Sequence, residues 1–146
     1  MPVLLALSLT LALLVQGGSC GRASTSGGSG EKARSVQEGT SWGGEHVRAD
    51  IEKDSVSFEF DCANGATEGP LAPDRDGRFD LKGFFITERG GPLRAGQEEE
   101  PKKPARYSGR IKGETMTLSV TLTESGDDIG TFTLTRGADA RLTKCL

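Results

Sequence analysis

The sequence holds a single histidine, His46, among 146 residues. A catalytic histidine needs a nucleophile and an orienting acid, and a histidine-based metal site needs further nitrogen or sulfur ligands. No H-E-x-x-H metal motif occurs in the chain, and the G-x-S-x-G match at Gly39-Thr40-Ser41-Trp42-Gly43 is not followed by a predicted helix, which a nucleophile turn requires. We therefore rank an enzyme last among the functions considered, and we expect no cofactor.

Aromatic residues make up only 5% of the chain, whereas glycine occurs 21 times. That profile predicts a modest core built from many short elements joined by turns. The chain also lacks an apolar run of about 20 residues, the length that a membrane-spanning helix needs. The apolar run Met1–Val15 is too short for that role and is typical of a secretory signal peptide. We expect residues 1–19 to be the signal peptide of an exported protein.

Positive charge is not in excess, because 18 Lys and Arg residues stand against 21 Asp and Glu residues, a formal net charge of −3. A mildly acidic protein gains nothing from counterion release on a phosphate backbone, so we expect no nucleic-acid partner. Asp74, Asp76 and Asp80 with Gly77 do not match an EF-hand calcium loop, since the glycine is at the fourth position rather than the sixth. Turn formation explains that stretch, and we expect no metal site.

What the sequence does contain is alternation of apolar and polar residues, with the period of two that a pleated strand imposes. In the clearest case Met116, Leu118, Val120 and Leu122 share one face. Turn residues separate eight predicted strands, and nothing indicates a crossover helix. The predicted strands lie at Val47–Ile51, Val56–Cys62, Thr67–Ala72, Phe79–Thr87, Tyr107–Ile111, Thr115–Thr123, Ile129–Leu134 and Ala140–Leu146, and Asn64-Gly65 is predicted to be a turn.

This pattern predicts an all-β domain over residues 42–146, most simply an antiparallel up-and-down barrel of about eight strands. Closure of a barrel removes both sheet edges, and the first and last strands then pair. A two-sheet β-sandwich is the alternative. Residues 20–41, which include the Gly/Ser-rich stretch Gly21–Gly30, are predicted to form a disordered, flexible linker before the barrel.

Three cysteines are present, and their positions suggest two different roles. Cys20 lies between the signal peptide and the linker, where it resembles the lipidation site of bacterial lipoproteins. That resemblance implies a membrane anchor at Cys20, and release as a soluble exported protein is the alternative. Cys62 and Cys145 then remain as a pair, for which an oxidising compartment favours a disulfide over two free thiols. We expect this disulfide to be buried and to join the second predicted strand to the last one.

The tryptophan at the start of the domain, the hairpin order of the strands and the disulfide to the C terminus resemble the calycin-like small barrels, the group of lipocalins and avidins. Lipocalins carry G-x-W at the first strand, where this chain has Gly39-Thr40-Ser41-Trp42. The stretches WGGEH, EFDCA, ERGGP and RYSGR are also similar to uncharacterised bacterial exported proteins. The resemblance implies a small barrel and no known activity.

The leading hypothesis is a non-enzymatic, monomeric binding module that is lipid-anchored in the bacterial cell envelope, or released to the periplasm or the exterior. It would hold a small apolar ligand or contact an envelope partner, with Trp42, His46, Phe84 and Tyr107 as the candidate ligand contacts. An eight-stranded barrel is just wide enough to hold one small ligand. The alternative is a structural domain whose interior is packed and which acts through its surface loops.

Overall fold

A computed structural model describes residues 36–91 and 100–145. The predicted signal peptide (1–19), most of the predicted linker (20–41) and Cys20 lie outside the described residues. Eight antiparallel strands form a closed barrel in which each strand pairs with the next and the first pairs with the last. The strands are β1 (Ser41–Gly44), β2 (Val47–Ile51), β3 (Val56–Phe60), β4 (Ala63–Thr67), β5 (Arg78–Thr87), β6 (Lys103–Lys112), β7 (Thr115–Leu122) and β8 (Asp128–Arg136).

The closed barrel confirms the predicted all-β, up-and-down fold and excludes the sandwich. Residues 36–91 and 100–145 contain no helix, and hence none that is long and apolar enough to cross a membrane. Alternate residues of each strand point into one shared core, as the period of two requires. The largest fully buried side chains are Trp42, Tyr107, Met116, Leu118, Leu134, Val47, Val56 and Val120.

The seam of the barrel, where β1 meets β8, is closed on the inside by Trp42 and Arg136. The two residues are register partners, and the guanidinium carbon lies 5.0 Å from the centre of the indole ring. A cation held over an aromatic face in a partly buried site is attracted by the ring quadrupole. Leu71 in the β4–β5 loop and Val36 before β1 pack against the same core at this end of the barrel. We call it the closed end.

The centre of the barrel is filled by an aromatic stack. The rings of Phe58 and Tyr107 are nearly parallel at 4.5 Å between centroids, and the Tyr107 hydroxyl donates a hydrogen bond of 2.7 Å to the Phe84 carbonyl. Burial raises the pKa of Tyr107 well above its ordinary value, so the phenol stays neutral and keeps its proton for this bond. Gly65 faces the hydroxyl, and a Cβ at that position would overlap with it.

Gly65 also explains why one predicted turn is wrong. Asn64-Gly65 lies inside β4, and neither residue has the positive φ that a two-residue hairpin turn requires. Gly65 leaves space for the buried Tyr107 side chain, and its backbone does not adopt a conformation that only glycine favours. The predicted strand at 67–72 is accordingly misplaced, because the real strand ends at Thr67 before Pro70, which cannot donate to a ladder.

The predicted last strand at Ala140–Leu146 is also wrong in the part that the structure describes. After β8 has paired with β1, Gly137–Cys145 runs along the outside of the barrel, and we call this segment the C-terminal strap. Arg141 in the strap forms one isolated parallel bridge with Glu45. Gly43 makes the close approach possible, since a Cβ at Gly43 would overlap with the strap backbone.

The predicted disulfide is present, with the Cα atoms of Cys62 and Cys145 5.3 Å apart. Its surroundings differ from the prediction, because Cys62 is half-buried in the β3–β4 turn and Cys145 is exposed. The bond therefore fastens the strap to a turn and does not join two strands. The sequence could not indicate this, since it did not show that the barrel closes before residue 137.

Replacing Gly65 with alanine tests the space beside Tyr107. We expect Gly65→Ala to lower the free energy of unfolding by about 1–3 kcal/mol, the usual cost of overfilling a packed core. Gly69→Ala is the matched control, because a Cβ at Gly69 has no atom within 4 Å. Urea unfolding followed by circular dichroism measures both. Equal stability of the two variants would contradict the packing described here.

Removal of the disulfide with Cys62→Ser and Cys145→Ser tests the role of the strap. The bond spans 83 positions, and the chain-entropy relation assigns a loop of that length about 4.5 kcal/mol of stability. We expect a lower melting temperature with the strand signal in the far ultraviolet retained, because all eight strands pair without the strap. An unchanged melting temperature would contradict this interpretation. Loss of the strand signal at temperatures below the unfolding transition would contradict it as well.

Candidate binding site at the open end of the barrel

The end of the barrel opposite the closed end carries an apolar depression. Phe60 lies 5.4 Å from Phe85 and 5.4 Å from Phe132, measured between ring centroids. These three rings and Ile129 line a hollow of about 270 Å³ that is open to solvent. We call these four residues the aromatic mouth. It is a concave apolar surface of the kind that binds ligands.

Two members of the aromatic mouth share one side only because β8 is irregular. Ile129 and Phe132 are three positions apart, so a regular strand would direct them to opposite faces. The register between β7 and β8 shifts beside Val120, and Gly130 has a φ of +144° in the left-handed region. Such a bulge re-aims the side chains next to it. As a result both residues line the hollow.

His46 lies on the rim of the aromatic mouth, in the β1–β2 turn. Its φ of +69° is uncommon for a residue other than glycine. The strap holds this conformation, because the His46 backbone N–H donates a 2.9 Å hydrogen bond to the Arg141 carbonyl. On the side chain, Nδ1 lies 2.6 Å from the Asp61 carboxylate, and Nε2 lies 3.8 Å from Glu45 Oε1.

Asp61 connects the rim to the strap. One carboxylate oxygen accepts the Thr143 backbone N–H at 2.8 Å, and the other meets His46. The Thr143 bond, followed by the contact with His46, lowers the pKa of Asp61 below its ordinary value. Lys144 of the strap adds an ion pair of 2.8 Å with Glu59, whose carboxylate raises the pKa of Lys144. The strap therefore orders the rim as well as the outer wall.

This arrangement suits a molecule that has one polar atom next to an apolar group. With Nδ1 directed at a carboxylate, the imidazole is held in one orientation, and its ring is more than half exposed. Within residues 36–91 and 100–145, no group of three or more His, Cys, Asp or Glu residues is placed to hold a metal ion. His46 can exchange one hydrogen bond with a molecule that rests on the aromatic mouth.

The structure separates the four predicted ligand contacts. Trp42 and Tyr107 are fully buried in the core, where they close the seam and fill the centre. Phe84 points to the outer wall, with the Lys102 ammonium 4.5 Å from its ring centre. Only His46, of these four residues, lies beside the aromatic mouth.

The residues that form the aromatic mouth were not selected from the sequence. Alternation places Phe60 on one face with Val56 and Phe58, and all three are buried in β3, whereas the strand that holds Phe85 is apolar on both faces near its middle. Alternation could not show that Phe60 and Phe85 lie at the open end, because that depends on which strand ends meet in space. The grouping of Ile129 with Phe132 depends on the bulge, for which Gly130 is the only local signal in β8.

Comparison of the chain with protein-family models, with curated proteins and with solved structures finds no match in any of the three sets. The barrel architecture therefore rests on the observed topology. A fold by itself does not specify a function, so a functional proposal has to come from the site.

Asp61→Asn tests the connection between rim and strap through its pH dependence. A lowered folded-state pKa means that the carboxylate stabilises the fold above its unfolded pKa of about 3.9 and loses that contribution as pH falls through the folded value. We expect the variant to be less stable than the parent at neutral pH. The difference should disappear as the pH falls below about 4 through the folded-state pKa.

Thermal unfolding across this pH range measures the effect, with Asp54→Asn in the β2–β3 turn as the control. A stability difference for Asp61→Asn that is the same at pH 7 and in acid would show that the charge is not responsible.

Proposed function

We propose that the chain is a non-enzymatic binding module that holds a small apolar group at the aromatic mouth. The observation that carries the proposal is an apolar hollow open to solvent at one end of the barrel, lined by the buried rings of Phe60 and Phe85 and by the partly exposed Ile129 and Phe132. Small-molecule sites are typically concave, mostly apolar and supplied with a few polar groups that fix the orientation of the ligand. Here the hollow is bordered by the polar pair His46 and Asp61, which can orient what binds.

The size of the hollow limits what it can hold. Its 270 Å³ lies just below the range of about 300–1,000 Å³ that is usual for small-molecule pockets. The stack of Phe58 on Tyr107 occupies the centre of the barrel, so a ligand would not extend far inward. One aromatic ring or one branched aliphatic group fits these limits. The shallow shape also suits a side chain that projects from an envelope protein, which is the second candidate.

The proposal includes export, a lipid anchor at Cys20 and a calycin-like origin of the barrel, acting as a monomer. Export is supported by the apolar run Met1–Val15 and by the Cys62–Cys145 disulfide, since such bonds persist in oxidising compartments. Cys20 followed by a Gly/Ser-rich stretch supports the anchor. The calycin-like origin is supported by eight strands in up-and-down order with Trp42 on β1.

Native mass spectrometry of the protein purified from its own host tests the binding proposal. We expect an additional bound mass, and we expect Ile129→Asp to weaken its retention about tenfold or more, because a charge placed among the aromatic rings costs more than 1.4 kcal/mol. Thr117→Asp, on the exposed outer face of β7, is the control and should retain the mass.

Either of two results would count against the aromatic mouth. One is a mass spectrum that shows only the bare protein under gentle ionisation conditions, when the protein also captures no envelope protein from its host. The other is equal retention of the bound mass by both aspartate variants.

A further inference from the structure

The pairing of β8 with β1 covers only the part of β8 near the closed end. It joins Leu134–Arg136 to Trp42–Gly44, and β1 then ends and turns back into β2. No other described strand lies on that side of Asp128–Thr133, which pairs with β7 alone. We call Asp128–Thr133 the free edge. An unpaired strand edge offers backbone donors and acceptors to another extended chain.

The backbone N–H and C=O groups of Thr131 point to the unpaired side of β8. The Arg136 N–H donates a 2.9 Å hydrogen bond to the Glu114 carbonyl in the β6–β7 turn, so Arg136 faces β7. Because alternate residues of a strand direct their backbone groups to opposite neighbours, Thr131 faces away from β7. The bulge next to it has a partner of its own, since the Gly130 N–H donates to the Asp128 carboxylate at 3.0 Å. Thr131 is therefore the residue at which an added strand can pair.

The free edge forms one side of the aromatic mouth. Ile129 and Phe132 belong to the free edge, and they line the hollow together with His46 and Asp61 from the β1–β2 and β3–β4 turns. An extended chain that pairs with Thr131 directs alternate side chains toward the barrel, next to the hollow. Strand addition recognises peptides in this way, with backbone pairing for affinity and a pocket for a side chain.

The charges around the free edge are mainly negative. Carboxylates whose only ion pairs among the described residues are with His46 lie at its start and on the turns of the open end, and they are Glu45, Asp61, Glu124, Asp127 and Asp128. Arg89 and Lys144 at this end are paired with other carboxylates. The cations that have no carboxylate partner in the described part of the chain are fewer, and they are Lys102, Lys103 and Arg141. This excess of negative charge favours a partner that carries basic residues.

We propose that the free edge and the aromatic mouth bind an extended peptide segment by strand addition. One aromatic or branched side chain of the segment occupies the hollow, and its basic residues meet the carboxylates of the open end. The bulge and the carboxylates Asp127 and Asp128 oppose pairing with a second copy of the chain, as bulges and charges do at other sheet edges. This inference rests on the proposed function, because it narrows the group held at the aromatic mouth to a peptide side chain.

The test uses the blocked peptide acetyl-Lys-Thr-Phe-Thr-Lys-amide and the full chain. Hydrogen exchange followed by nuclear magnetic resonance should show that the peptide slows exchange of the Thr131 amide about tenfold or more, because an added strand protects that N–H. The Asp54 amide in the β2–β3 turn, at the closed end, is the control and should exchange at the same rate with and without the peptide. Replacing both lysines of the peptide with glutamate should weaken binding at low salt.

Two variants separate the backbone of Thr131 from its side chain. Thr131→Pro removes the N–H at a position where proline does not interrupt the β7 ladder, and Thr131→Val removes only the hydroxyl that contacts Ser119. We expect Thr131→Pro to weaken peptide binding about tenfold or more and Thr131→Val to bind as the parent does.

Methylation of the peptide backbone tests the same pairing without a change in the protein. One peptide carries a methyl group on the phenylalanine nitrogen, and another carries methyl groups on both threonine nitrogens. Only one of the two should lose binding, because alternate N–H groups of an added strand face the edge.

Toluene separates failure of this inference from failure of the proposed function, because it is apolar but has no backbone. If toluene shifts the Ile129 methyl resonances while the peptide leaves exchange at Thr131 unchanged, strand addition is wrong and the proposed function stands. If neither binds at millimolar concentration, both are wrong. Equal peptide binding by the two Thr131 variants, or a dimer that Thr131→Pro abolishes, would also overturn strand addition.

Discussion

The pairing of β1 with β8 is the constraint on which the other features depend. Closure joins the first strand to the last, and it fixes which strand ends share the open end. The strand β1 is only four residues long, so its ladder to β8 is short. The contact of Arg136 with the face of Trp42 strengthens the seam from inside. A charged side chain half-buried beside a fully buried indole is unusual, and the seam explains why it is there.

A segment outside the eight strands also stabilises the structure. The C-terminal strap passes over Gly43, holds His46 in a left-handed conformation and gives Asp61 a backbone donor. Each contact involves a residue near the aromatic mouth or the wall that leads to it. The strap therefore links the stability of the C terminus to the geometry of the rim. The proposed binding at the mouth would therefore involve His46 and Asp61, the same residues that fasten the strap.

The fold was predictable from the sequence where strands alternate cleanly, as in β2, β3 and β7. It was not predictable where the role of a residue depends on a side chain that is distant in sequence. Gly65 has the local appearance of a turn, but its role is set by Tyr107, which lies on another strand. The site was less predictable still. Inward aromatic residues could be recognised, whereas their position at one end of the barrel depends on closure and on the bulge beside Gly130.

The disulfide has a topological effect that goes beyond its contribution to stability. Together with the peptide chain between Cys62 and Cys145, it forms a covalent ring that contains β4 to β8 and the whole strap. A single cleavage of the backbone anywhere in this ring would leave two fragments that are still joined through sulfur. A protease that nicks a loop there would release no piece of the domain. If the chain is exported, as proposed, the ring would keep a nicked domain in one piece.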